Sequence, residues 1–141
     1  MEQVDPSQSL DVVLAEDDPD VAAMNKFALV SAGHHVEIAH DGVEAIEAVR
    51  RGDPDLLILD LEMPRANGVE VVEELRGDPT TEDQPVVVLS NAELTPDQEG
   101  RLRRMGVIDI LAKWRVGPLH LVQWLRQWAT DHRPGPRPRQ A

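Results

Sequence analysis

The chain has 141 residues, 41% of them hydrophobic and 28% charged, the composition of a single soluble globular domain that can bury one core. Its formal net charge of −12 repels phosphate backbones, and no apolar stretch reaches membrane-spanning length, so neither a nucleic-acid nor a membrane partner is expected. Cysteine is absent, which removes disulfides, thiol chemistry and Cys-based zinc sites.

Residues 1–9, MEQVDPSQS, hold neither a basic region nor an apolar signal core; they are read as disordered, and the compartment as the cytoplasm. The folded part, 10–131, begins with a strand over Asp11 to Ala15 that runs into LAEDDPD, where Glu16, Asp17, Asp18 and Asp20 crowd together. Such a cluster is either a solvated loop or a divalent-cation site. A helix follows on the spacing Val21, Met24, Ala28 and Leu29 and stops near Gly33. Asp18 is placed to cap it, Pro19 fits its first turn and Asp20 complements its dipole.

Val36 to Ala39 is a second strand, Val43, Ile46, Ala48 and Val49 mark a second helix, and Gly52 and Pro54 end it. A third strand over Leu56 to Leu59 leads to a helix through Val69, Val72 and Leu75, ended by RGDPTTEDQP. Val86 to Leu89 and Val107 to Ala112 are the last strands, with a less apolar helix from Asp97 to Met105 between them. The final helix, Pro118 to Thr130, lines up Leu121, Val122, Leu125 and Trp128 on one face. Residues 132–141, rich in proline and arginine, are read as a disordered tail, with a docking peptide as the second reading.

Strands alternating with helices imply right-handed crossovers and an α/β fold with a parallel sheet covered on both faces. The runs LLIL and VVVL are apolar at every position, as sheets buried on both sides require. Ligands of such a sheet bind outside the carboxyl ends of its strands. Glu16 and Asp17 follow the first strand, Asp60 closes the third, Ser90 the fourth and Lys113 the fifth, so these side chains should converge.

Carboxylates brought this close repel, and one must protonate unless a cation neutralises them. Oxygen ligands select a hard cation, magnesium, with manganese as a substitute. The histidines His34, His35, His40, His120 and His132 are scattered and read as structural or solvated. A metal beside a carboxylate, a lysine and a hydroxyl suits phosphoryl transfer, with Asp60 as nucleophile forming an acyl phosphate.

The runs VVLAEDDPDV, PDLLILDLEMPRANG, PVVVLSNAE and GVIDILAK resemble, in order and spacing, the receiver domain of bacterial two-component response regulators, from about Asp11 to Thr130. The resemblance implies a CheY-like, flavodoxin-like (βα)5 fold, a doubly wound five-stranded sheet in the order 2-1-3-4-5. It implies that Asp60 is the phosphoacceptor, that Glu16 and Asp17 hold magnesium directly or through water, and that Glu62 offers the metal its backbone carbonyl. Ser90 matches the switch hydroxyl and Lys113 the family's lysine. The implied donor is a phosphohistidine on a sensor histidine kinase or phosphotransfer protein. The receiver itself catalyses the transfer, so no enzyme acting on a separate substrate is expected. With no effector domain in sight, a stand-alone regulator or phosphorelay intermediate is implied. Partners of such domains commonly use the surface of the fourth helix, fifth strand and fifth helix.

The chain departs from this family at several positions. Trp114 follows the lysine where proline is usual, often after a cis bond; a cis bond here costs about 3 kcal/mol, so a trans bond and a rearranged loop are expected. Trp114 is read either as a partner anchor or as cover for the core, and Trp124 as a neighbour of the same contact surface, which a kinase or a homodimer could use. Ile110 replaces the aromatic residue usually coupled to the switch hydroxyl. Asn91 stands where alanine or glycine is usual and, with Glu62, is placed to modulate access to Asp60. Gly100 falls inside the fourth helix, either as a loose point or as surface variation.

Two other functions compete. A degenerate receiver would bind partners without phosphorylation. A phosphatase with an aspartyl-phosphate intermediate would use Glu62 as general acid and base.

Overall fold

The computed structural model describes residues 9–65, 67–91 and 93–131. Of the two segments read as disordered, 1–8 and 132–141 lie outside the described residues, while the Ser9 hydroxyl donates to the Gly33 carbonyl at 2.7 Å. The elements alternate strictly: β1 Asp11–Ala15, α1 Pro19–Ser31, β2 His35–Ala39, α2 Gly42–Gly52, β3 Leu56–Asp60, α3 Gly68–Arg76, β4 Val86–Ser90, α4 Pro96–Arg104, β5 Asp109–Ala112 and α5 Pro118–Asp131. All pairings are parallel and the five strands stand in the order β2-β1-β3-β4-β5, the CheY-like flavodoxin arrangement. The topological switch falls beside β1, where the order reverses.

Alternating strand positions feed two cores. Val13, Leu57, Leu59, Val86 and Val88 face α2, α3 and α4, where Ala45, Val49, Val71, Leu75 and Leu102 meet them. Val12, Leu14, Leu56, Ile58, Val87 and Leu89 face α1 and α5, closing on Leu29, Leu121, Leu125 and Trp128. Burial on both faces is what the unbroken apolar strands require.

The ends differ from the predicted ranges in ways that matter. β3 and β4 each run one residue further, so Asp60 and Ser90 are the last residues of their strands. β5 starts later than predicted because α4 ends on Gly106 at φ +79°, and the Val107 N–H still closes that helix on the Leu102 carbonyl. Asp18 caps α1 as expected, its carboxylate accepting from the Asp20 and Val21 N–H groups at 2.9 and 3.3 Å.

The inward face of α1 is corrected. Ala22, Asn25 and Leu29 are buried, whereas Met24 is 55% exposed and Phe27 74% exposed. The helix is apolar on both sides, so spacing alone could not choose its buried face. α4 continues through Gly100, where an added Cβ would meet only the flexible end of Arg104. No helix among the described residues is long and apolar enough to cross a membrane.

Candidate functional site

The carboxyl edge of the sheet carries the site, and the strand ladders set its positions. Asp60 leaves β3 between β1 and β4, with Leu56 to Leu59 behind it all 0% exposed. Glu16 follows β1 directly, its N–H held by the Ala39 carbonyl of β2 at 3.0 Å. One carboxylate oxygen from each of Glu16, Asp17 and Asp60 lies within 4.8 Å of the others. Glu16 and Asp60 are each 1% exposed, while Asp17 faces solvent.

Lys113 reaches across from the turn after β5. Its Nζ lies 2.6 Å from Glu16 Oε1 and 2.9 Å from Asp60 Oδ2, bridging the two buried acids. The other Asp60 oxygen accepts from the Glu62 N–H at 3.1 Å, and the second oxygen of Glu16 accepts from the Asp18 N–H at 3.2 Å.

These surroundings set the charges. Burial pushes the Asp60 carboxyl up to about 7 from the ordinary 3.8, with the Glu16 carboxylate pushing the same way and the Lys113 ammonium and Glu62 N–H opposing. Burial also works against the charge on Lys113, yet the Glu16 and Asp60 carboxylates outweigh it and hold its pKa above the usual lysine value. One ammonium cannot neutralise three carboxylates, and an all-oxygen set left negative fits a hard divalent cation.

The sequence-predicted residues therefore fall into groups. Glu16, Asp17, Asp60 and Lys113 converge. Ser90, 3% exposed, lies at the adjoining strand end, but its hydroxyl donates to Glu62 Oε1 at 2.8 Å, and the Asn91 N–H donates to Glu62 Oε2 at 3.3 Å. Trp114 projects outward, 74% exposed, with the Arg115 guanidinium 5.2 Å from its ring, and the peptide before it is trans. Trp124 sits half-buried at the boundary, stacked on Trp128 with centroids 6.3 Å apart, its indole N–H donating to Asp109. Ile110 packs partly buried against the core on the α2, α3 and α4 side.

Two features of the loop after Asp60 escaped the sequence reading. Arg65 adopts the left-handed region at φ +67° and pairs with the buried Asp41 at 3.2 Å, tying the loop to the residue that caps α2. Gly68 opens α3 against the chain leaving β3: a Cβ there would come within 2.6 Å of the Leu61 side chain and 2.8 Å of its Cα. The run NG preceding the helix was the available signal for the second; nothing in the spacing marked the first.

The response regulator receiver domain family matches residues 12–126. Response regulator MprA of Mycobacterium tuberculosis is 42% identical over 82 residues, 58% of this chain and 35% of that protein, so the chain spans about a third of the length of the curated relatives it matches. Among solved structures, the chemotaxis protein CheY4 of Vibrio cholerae superposes with a TM-score of 0.75 at 27% identity, over 84% of this chain and 98% of that one. The receiver domain of sensor histidine kinase PA1611 from Pseudomonas aeruginosa, described with magnesium coordinated in its active-site cleft, gives 0.74 at 26% identity, over 86% of this chain and 98% of that one. Since the match runs from β1 into α5 and takes in every strand end just described, the chain belongs to the receiver domain family of response regulators.

Proposed function

We propose that Asp60 accepts a phosphoryl group from a phosphohistidine on a sensor histidine kinase or phosphotransfer protein, and that the acyl phosphate signals by changing protein contacts. The observation that carries this reading is the Lys113 bridge: one ammonium holding Asp60 and Glu16 at the end of a fully buried strand. A carboxylate so fixed needs little reorganisation to attack.

In the proposed step an Asp60 carboxylate oxygen bonds to phosphorus while the bond from phosphorus to the donor nitrogen breaks. The electron pair leaves with the imidazole, which can then take up a proton. Lys113, already within hydrogen-bond distance of Asp60, stays beside the transferred group and offsets its charge. Glu16, Asp17, Asp60 and the Glu62 carbonyl would hold magnesium, which when bound supplies positive charge to the phosphoryl oxygens. The magnesium described for the PA1611 receiver supports that assignment.

The phosphatase reading loses ground because the Glu62 carboxylate is engaged by Ser90 and Asn91. Incubation with acetyl phosphate and magnesium, followed by intact mass, tests the proposal. A single phosphoryl adduct is expected, lost with a chelator and lost in Asp60→Asn. The absence of both an adduct and beryllofluoride binding overturns it.

A further inference from the structure

We propose that Glu62 is an internal competitor of the phosphoryl group: its carboxylate holds the Ser90 hydroxyl and the Asn91 N–H, and phosphorylation of Asp60 has to displace it. This deepens the proposed function and rests on it. The argument begins with the two donors. Ser90 is the buried last residue of β4, on the strand paired with β3, and Asn91 follows it. Both donors thus stand at a fixed strand end next to the strand that Asp60 closes.

Glu62 is well placed to take that space. Its N–H donates to Asp60 Oδ1, which fixes its backbone against the phosphoacceptor, while its side chain crosses to β4. There one carboxylate oxygen accepts from Ser90 at 2.8 Å and the other from Asn91 at 3.3 Å. A carboxylate spanning two donors shares its charge sign and acceptor geometry with two oxygens of a phosphoryl group. The two cannot use the same donors at once, and adjacent negative charges repel.

Glu62 itself is exposed, so an outward rotation takes it into water rather than into the core. The displaced carboxylate is hydrated, and the Ser90 hydroxyl and the Asn91 N–H can then donate to the phosphoryl oxygens. Acceptance of the phosphoryl group is thus opposed in the resting protein by a side chain with no part in the hydrophobic core.

Beryllofluoride binding to the full chain with magnesium tests this, using wild type, Glu62→Ala, Ser90→Ala and the double variant, with the Asn91 amide followed by 1H–15N NMR. Glu62→Ala should bind about five- to tenfold tighter, its Asn91 amide signal should shift before any ligand is added, and the gain should at least halve in the Ser90→Ala background. Equal or weaker binding by Glu62→Ala overturns the competitor while the phosphoacceptor reading stands, since wild type still binds. A full gain retained in Ser90→Ala assigns the effect to simple relief of charge and also overturns it. Failure of all four proteins to bind overturns the phosphoacceptor reading and this inference together.

Discussion

Both edges of the sheet bury acids, but they treat them differently. At the amino edge, Asp55 is 7% exposed, and its carboxylate accepts from the Asp11 N–H at 2.7 Å while its own N–H donates to the Asp11 carbonyl. At the same edge, before β2, His34 Nδ1 accepts from the Leu10 N–H at 3.1 Å, and burial holds its imidazole below the usual pKa. Asp55 Oδ2 and His34 Nδ1 each hold a backbone donor that cannot leave. At the carboxyl edge, Glu16 and Asp60 face one another across a lysine on a turn. Glu16 and Asp60 also accept backbone N–H groups, so the difference lies in the pairing: a lone buried acid on a backbone donor is part of the scaffold, whereas two buried acids sharing one ammonium leave negative charge for a cation or a reaction to use.

Removing Lys113 should break this contrast most severely. Lys113→Ala leaves two buried carboxylates without their ammonium, a change expected to cost about 3–5 kcal/mol of stability in metal-free protein. Chemical denaturation with and without magnesium checks it, and added magnesium should recover a large part of the loss.

The opposite sign is expected at Asp60. Its folded pKa, about 7, lies above the ordinary 3.8, so between those values the native state holds a proton that the unfolded chain has released. The penalty for ionising it is absent at pH 3.5, grows through pH 4 to 7 and is complete above. Asp60→Asn should therefore stabilise the metal-free protein at pH 8 by ~2 kcal/mol, with the gain fading toward pH 4. Melting curves across that range, in chelator, would show a flat difference if the carboxyl were not held protonated by burial.

The smallest effect belongs to the amino edge. Asp55→Ala deprives the Asp11 N–H of its acceptor and should cost about 1–2 kcal/mol. The phosphoryl adduct, read by intact mass, should form in this variant as in wild type. A loss of adduct comparable to that in Asp60→Asn would erase the distinction between the two edges.

Much of this is legible in the sequence alone. Short apolar runs such as VVVL, rich in valine and bounded by polar residues, suit a strand buried on both faces, and a polar residue directly after such a strand is delivered to the sheet edge. Glu16, Asp60 and Lys113 were found this way. α1 was not readable, because Met24 and Phe27 make its outer face as apolar as its inner one. The Glu62 contact was hidden for another reason: it joins a loop side chain to a strand end 28 residues away, and spacing does not encode the path of that loop.

The place of Asp60 as the final residue of β3 has a wider meaning. Its backbone is laddered to β4 and its strand to β1, with cores on both faces. The carboxyl proposed as phosphoacceptor cannot be moved locally; it goes where the sheet goes. A cavity made at Ile58 or Val88 would thus register as altered timing of a signal as well as lost stability. The Glu62 side chain, exposed on a loop outside both cores, is not tied to the sheet in this way, so under the proposed competition the rate of switching can drift in evolution by substitutions that leave the architecture untouched.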